Sequence, residues 1–505
     1  MTDTALQVDL VILGGGIIGA GVARDAAGRG IKTALIDCND IASGTSSYSS
    51  KLLHGGIRYL ENFHFSLVKE SLSERTILQN IAPHLCWQSE FRIPWRKNGR
   101  SRLLLRTGIA IYDYLAGATN NTPKGRYVTK TQWDKENPNL RTDIQCGFGY
   151  GDCRTNDARL VVENVLSAKQ HGALIYTYTT CVSVEQKYDH WVLTFVDEQK
   201  RKIVIKSLVV LQATGPWIKN QSDLNPLHAY APERLPELVK GSHIVVPALY
   251  QGDHSYLLMN YDGRVVFVIP FEDSFSLIGT TELPFAHEPR ECKIETQEIE
   301  YLLEIVGKYF LYKPKSSDIL WSFSGVRALL PSSKTMRDAS REYFYERKEY
   351  RRTWWCNVYG GKLTSYRLVS ESIVNDIAQA LGNTQLTWTK DVALPGSESY
   401  PKQESKADIL EIYKKRYYWL PVEVLDRWLH VYGSRIGLLL NHCTSIKDLG
   451  KEIAPGVFAK ELAYVVNHEH VKKAEDYLYR RSRMFLYLNS DECKKIEDEI
   501  DRLQH

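Results

Sequence analysis

Gly14-x-Gly16-x-x-Gly19, with Asp37 downstream, is the pattern in this sequence that most constrains its chemistry. The first glycine of such a turn permits a tight bend. The second lets the backbone approach a pyrophosphate, and the third lets helix and strand pack closely. A pyrophosphate held there would meet the free N–H groups and the positive dipole end of a helix. Asp37 would accept hydrogen bonds from both hydroxyls of a ribose. The pattern points to a dinucleotide without choosing between NAD and FAD. Gly44-Thr45-Ser46-Ser47-Tyr48-Ser49-Ser50-Lys51 adds a run dense in hydroxyls. It can satisfy the polar atoms of a pyrophosphate and a flavin, or serve as an ordinary polar loop.

The elements needed to hold these residues can be read on either side of them. Val8–Leu13 is a short apolar run expected of a buried parallel strand. Ile17–Arg29 reads as an alanine-rich helix stopped by Gly30, and Thr33–Asp37 as the next strand. Together they make one β-α-β unit of about 30 residues. Leu208–Gln212 is a further buried strand running into Ala213-Thr214-Gly215-Pro216, and residues 60–150 mix helical and irregular stretches. The runs HIVVP and VVFVIP within 243–282 predict strands of an antiparallel sheet. Residues 395–408, rich in Pro and Ser, predict a joint between domains. Beyond it Val424, Leu425, Trp428, Val431 and Tyr432 share one helical face.

Composition narrows the class. A chain of 505 residues is long enough for two or three domains, and 43% hydrophobic with 25% charged residues is the balance of a folded globular protein. A net charge of +4 argues against nucleic-acid binding driven by charge alone. The nine cysteines are odd in number and none sit as C-x-x-C, which predicts reduced thiols and no zinc site. The first residues, MTDTALQVD, carry no Lys or Arg, so no secretory leader is expected, and no apolar run suits a spanning helix.

At Leu53-His54-Gly55-Gly56-Ile57-Arg58-Tyr59-Leu60 the reading sharpens. With the glycine start and TSSYSSKLLHGG, this stretch resembles the FAD-dependent, respiratory glycerol-3-phosphate dehydrogenase family. Further matches follow in order: Asp152-Cys153 with Asp157-Ala158-Arg159-Leu160, Ala213-Thr214-Gly215-Pro216-Trp217, and Lys240-Gly241-Ser242-His243 running to Pro247. Then come Ile278-Gly279-Thr280-Thr281, Ser324-Gly325-Val326-Arg327, and Gly360-Gly361-Lys362-Leu363-Thr364-Ser365-Tyr366-Arg367. Two positions depart from the family pattern: Ile18 stands where many relatives carry Asn, and Asp37 where a Glu is usual.

The resemblance implies an α/β fold: a Rossmann-like FAD-binding domain, an antiparallel-sheet substrate domain and a C-terminal helical cap. The expected core is 1–394, with FAD-binding parts 1–60, 150–225 and 320–394 and substrate parts 61–149 and 226–319; the cap is 395–505. FAD contacts are expected from Gly14, Gly16, Gly19, Asp37, Thr45, Ser46, Ser50, Lys51, His54 and Gly55. Ala213, Thr214, Gly215, Trp217, Gly361, Leu363 and Thr364 complete that set. Arg58, Tyr59, His243, Arg327, Arg341 and Lys362 are implied for the substrate, because arginine forks match a phosphate with paired, charge-assisted hydrogen bonds. Taken singly, each would serve as well as a surface cation, a core tyrosine or a structural histidine. Among them His243, Arg327 and Lys362 are expected to act in catalysis, with His243 as base because its ordinary pKa suits neutral pH. No metal is implied.

The implied reaction is oxidation of sn-glycerol 3-phosphate, the C2 hydride passing to flavin N5, with electrons sent on to membrane quinone. An oxidase using oxygen is the close rival, and a non-catalytic flavin-binding scaffold the rival from another class. A cytoplasmic enzyme on the inner face of the cytoplasmic membrane follows, and a homodimer is an assembly it allows. Residues 94–117 combine Arg96, Lys97, Arg100, Arg102 and Arg106 with Trp95, Leu103, Leu104, Leu105, Ile109, Ile111, Tyr112 and Leu115. Such a segment can lie on an anionic membrane or form a core helix with a solvated edge. Hydrolase and phosphoryl-transfer readings lack support. There is no G-x-S-x-G, Leu363 follows Gly361-Lys362 where Ser or Thr should stand, and His468-Glu469-His470 lacks zinc spacing.

Overall fold

The β-branched run before the glycine turn becomes the centre of the first sheet. In the computed structural model, which describes residues 5–97, 100–117, 121–219, 225–260, 263–331, 343–401 and 404–504, strand β1 spans Leu6–Leu13. Leu10, Val11 and Ile12 are fully buried. Helix α1 (Ile17–Gly28) and strand β2 (Thr33–Ile36) complete the expected unit. β1 lies parallel between β2 and the strand Lys202–Gln212, with Leu13 level with Ile36 and Gln212. Thr353–Gly360 and then Tyr343–Tyr350 extend one side, and Leu174–Tyr176 the other. The alanines of α1 allow close approach to the sheet and to the helices Asp157–Gln170 and Tyr366–Leu381. Ala20, Ala23, Val161, Val165, Ile373 and Ile377 share one apolar core.

A second sheet of ten strands stands beside the first. Its central members are Glu237–Pro247, paired antiparallel with Trp321–Leu329 and with Phe275–Gly279, and Cys86–Trp95, paired with Cys146–Thr155. Side chains alternate faces along a strand. Val245 therefore joins the core under helices α2 (Phe65–Ile81) and α3 (Arg102–Ala116), while Ile244 and Val246 pack under the helix Thr296–Tyr309. Residues 150–155 and 321–329, expected in the FAD-binding part, lie in this second sheet. Both are members of long antiparallel pairings whose partners are far away in sequence.

The C-terminal part is mainly helical, as expected, and the face read from sequence is buried: Leu425 and Trp428 pack with Leu462, Val465, Ile496 and Ile500. The start of the expected joint, 395–408, is tightly held. Leu394 and Ser397 are fully buried, the Leu394 N–H donates to Ile81 O, and the Ser434 N–H donates to Gly396 O. Arg480 and Arg481 are buried and clasp Asp40 in the loop after β2 through three hydrogen bonds of 2.6–2.8 Å. Buried charges require such pairing. No helix among the described residues is long and apolar enough to cross a membrane.

Candidate active site

The glycine turn is built by contacts that leave no room for side chains. Gly14 has φ +116°, and a Cβ there would lie 2.5 Å from Ala213 O; at Gly19 it would lie 1.9 Å from Gly14 O. Around the turn the polar groups are already oriented. The Ile17 N–H donates to Ser46 Oγ (2.9 Å), and Asp37 accepts from the N–H groups of Gly15 (2.6 Å) and Asn39 (2.8 Å). Burial pushes the Asp37 carboxyl up to about 6, against those two hydrogen bonds.

A cavity of about 1300 Å³ opens here. Gly14, Gly16 and Asp37 line one stretch of it, and Thr45, Ser46, Ser50 and His54 another. Ala213, Thr214, Gly215 and Trp217 close a third side, and Gly361, Leu363 and Thr364 a fourth. Gln212 Oε1, buried in its wall, has no hydrogen-bond partner among the described residues. Three residues expected to touch the cofactor do not line the cavity. Gly19 packs α1 on the turn. The Gly55 N–H donates inward to Tyr112 Oη (2.8 Å). Lys51 is buried, its Nζ donating to both Asp157 oxygens (2.9 Å each) and to Ser47 O (2.8 Å), and burial lowers its pKa to about 8. Lys51 thus fixes the path of the hydroxyl-rich loop.

Arg327 and Lys362 line the same cavity. Arg327 Nη1 is 3.5 Å from Glu282, and Lys362 Nζ lies 4.0 Å from the Tyr59 ring centroid. Arg58, half-buried on the turn Ile57–Asn62, is set back from the cavity wall. Arg341 lies outside the described residues. His243 is level with Gly279 and Phe323 across two strand pairs. A Cβ at Gly279 would fall 2.1 Å from its ring, so glycine makes the space the imidazole occupies. His243 Nε2 is 2.9 Å from Ser50 Oγ, and the ring stacks on Phe323 at 4.8 Å; Ser50 and Phe323 both line the cavity. The ordinary pKa assumed for His243 does not hold. Burial first, then Arg327 and Lys51, depress it well below 6.5, so the ring is neutral at pH 7.

The sequence reading missed the wall supplied by the far end of the chain: Glu475, Tyr479 and Arg480 line the cavity. Of these only Arg480 stands out in the sequence, by its charge, and charge does not reveal a buried partner such as Asp40. The residue span 94–117 also divides differently from expectation. Leu105, Ile109 and Tyr112 are buried, and Tyr112 Oη donates to Asp152 (2.8 Å), whereas Leu103, Leu104 and Tyr114 stay exposed.

Residues 9–366 match the FAD dependent oxidoreductase family, and 387–503 match the C-terminal domain of alpha-glycerophosphate oxidase. The glycerol-3-phosphate dehydrogenase of Pseudomonas aeruginosa is 38% identical over 95% of this chain and 92% of its own. The aerobic glycerol-3-phosphate dehydrogenase of Escherichia coli is 36% identical over 97% and 96%. This chain belongs to the FAD-dependent glycerol-3-phosphate dehydrogenase family. The D-erythritol 1-phosphate dehydrogenase of Brucella abortus, 36% identical over 96% of both chains, is a further relative. Among solved structures, the Bacillus halodurans glycerol-3-phosphate dehydrogenase complexed with FAD superposes with a TM-score of 0.76. It has 25% identity and covers 98% of this chain and 94% of that one. FAD is the cofactor of this dehydrogenase family, and the residues present fit it. The turn has no Cβ where a pyrophosphate approaches, Asp37 lines the cavity with a carboxylate of the kind that accepts from ribose hydroxyls, and Gln212 offers an unused acceptor.

Proposed function

We propose that this chain oxidises the C2 hydroxyl of sn-glycerol 3-phosphate to the ketone of dihydroxyacetone phosphate, with membrane quinone as electron acceptor. The observation that carries the reading is the joining of a dinucleotide cradle, two cations (Arg327 and Lys362) and a neutral imidazole around one cavity. Bound FAD supplies the hydride acceptor. Arg327 and Lys362 hold the substrate phosphate and oxygens, with Arg58 and Arg341 as further cations, and Tyr59 supports Lys362 from its ring face. Ser50 Oγ takes the hydroxyl proton while giving its own to His243 Nε2, so the imidazole is the base at one remove. Lys362 stabilises the alkoxide as it develops.

The membrane reading rests on α3. Its exposed Leu103, Leu104 and Tyr114 stand beside exposed Arg106, and Phe63 and Phe65 are exposed at the start of α2, which packs against α3. That combination suits a peripheral seat on the inner face of the cytoplasmic membrane.

Anaerobic addition of sn-glycerol 3-phosphate should bleach the flavin absorbance of the holoprotein. An unchanged spectrum overturns the reading, and bleaching by D-erythritol 1-phosphate alone assigns the longer polyol phosphate. Turnover with a quinone analogue under nitrogen, against oxygen uptake in air, separates dehydrogenase from oxidase. Co-flotation with anionic vesicles, lost in Leu103→Asp, tests the membrane seat.

A further inference from the structure

Residues 285–294 connect the strand Leu283–Pro284 of the second sheet to the helix Thr296–Tyr309, yet they rest on the first sheet. Their ends are pinned at home. The Phe285 N–H donates to Leu238 O (2.9 Å), and Glu295 accepts from Lys240 Nζ (2.5 Å). Between these anchors two contacts cross the cavity mouth. Glu288 Oε1 accepts from Trp217 Nε1 (2.8 Å), beyond the strand Lys202–Gln212. Arg290 Nη2 lies 3.7 Å from Cys38 Sγ, just beyond β2. Those two strands flank β1, so the segment bridges over the Gly14–Gly16 turn from one side to the other. Pro289, Arg290, Cys292, Lys293 and Ile294 form part of the cavity wall.

The contact at Arg290 is weak for a guanidinium. A thiol is a poor acceptor, and the strong partners of arginine are carboxylates and phosphates in fork geometry. An exposed arginine held over a dinucleotide groove, touching the chain neighbour of Asp37 and within reach of that carboxylate's charge, is poised for an anionic ligand. Partial desolvation and the Asp37 carboxylate raise the Cys38 thiol while Arg290 lowers it; the net shift is upward, so Cys38 serves as a rest and not as an ion partner.

We propose that residues 285–294 are a strap closing the dinucleotide groove and that Arg290 clamps the adenosine-diphosphate end of FAD, setting how long the cofactor stays bound. This rests on the FAD reading above and adds a binding residue and an entry gate to it. Arg290 is exposed, so its replacement leaves the core intact.

The test uses the full chain, stripped of flavin and reloaded. FAD release is followed by the return of flavin fluorescence on dilution, and ADP binding to the apoprotein by calorimetry. Arg290→Ala is expected to speed FAD release at least tenfold and to weaken ADP binding equally. Riboflavin binding and the KM for sn-glycerol 3-phosphate at saturating FAD should stay unchanged. Arg290→Lys should recover part of the loss. Glu288→Ala discriminates further. Were the segment only a source of charge, removing an acidic residue would slow FAD release; loss of the strap's Trp217 anchor should speed it. Wild-type release from Arg290→Ala, or slower release from Glu288→Ala, overturns the strap. A wild-type chain that takes up no FAD overturns the underlying cofactor reading instead.

Discussion

His243 and Asp37 show how burial resets residues whose ordinary chemistry is familiar. A histidine with its usual pKa would be partly protonated at pH 6.5. Here burial and two neighbouring cations keep the imidazole neutral, so it is a proton acceptor throughout the neutral range. Its access to substrate runs through Ser50, the group of the pair on the cavity wall. Ser50→Ala and His243→Ala should therefore slow anaerobic flavin reduction by a similar factor, on the order of 10²–10⁴, while FAD remains bound. Stopped-flow traces would show this, and a fast Ser50→Ala protein would place the base elsewhere. Asp37 is shifted the other way. Its carboxyl titrates at about 6, and only the ionised form offers both oxygens to ribose hydroxyls. FAD binding favours that form, so the dissociation constant should rise as pH falls through 6. Asp37→Asn should bind more weakly and lose the pH dependence, as fluorescence titration between pH 5 and 8 would record.

At the scale of elements, what was legible depended on whether a segment's partners were nearby. The β1-α1-β2 unit carries its strand, turn and helix signals within one short stretch, and the structure follows them within one or two residues. Cys146–Thr155 is the opposite case. Its sequence, CGFGYGDCRT, begins inside the stretch 60–150 that reads as mixed helical and irregular, and its glycines, depleted in strands, hide the strand. The glycines are there because other groups cross the strand closely: a Cβ at Gly147 would lie 1.7 Å from the Trp133 ring, and one at Gly151 would lie 2.2 Å from Pro123 O. Those partners are invisible in a local window. The cofactor cradle was legible for the same reason as β1. The outward or inward aim of Lys51 and Gly55 was not, because it is set by Asp157 and Tyr112 far away in the chain. Two glycine substitutions test this account. Gly147→Ala should cost about 1–3 kcal/mol by overpacking. Gly108→Ala, in α3 with open space around it, should gain about 0.5–1 kcal/mol. Urea unfolding midpoints measure both.

For the whole molecule, the decisive seam joins the C-terminal helices to the first sheet and to the end of α2. Arg159 bridges Glu163 and Glu469, Arg481 donates to Glu469 O and to Asp40, and Tyr178 Oη donates to Asp476. The same seam contains two histidines. His84 Nδ1 is 2.8 Å from Ser397 Oγ, and its ring is fully buried, with Arg159, His430 and Arg435 near enough to oppose its charge. His470 is held down to about 4 by burial, with Lys169 and Arg481 adding to the effect and Asp40 opposing it. Both remain neutral in the fold at pH values where they would be protonated in the unfolded chain. At these two sites the unfolded chain binds more protons below pH 6.5, so the histidines' share of the stability falls as pH drops from there toward 4. Glu163, pushed up to about 7 by burial, and Asp476, also raised by burial, work in the opposite sense within the seam, as Asp37 does in the cradle. Thermal melts of the holoprotein between pH 7 and pH 5 measure the pH slope of stability, to which each of the two histidines adds a fall toward acid. His84→Gln, which keeps a hydrogen-bonding side chain toward Ser397 and cannot titrate, should flatten that slope. An unaltered pH slope in His84→Gln would move the acid-sensitive point away from the seam.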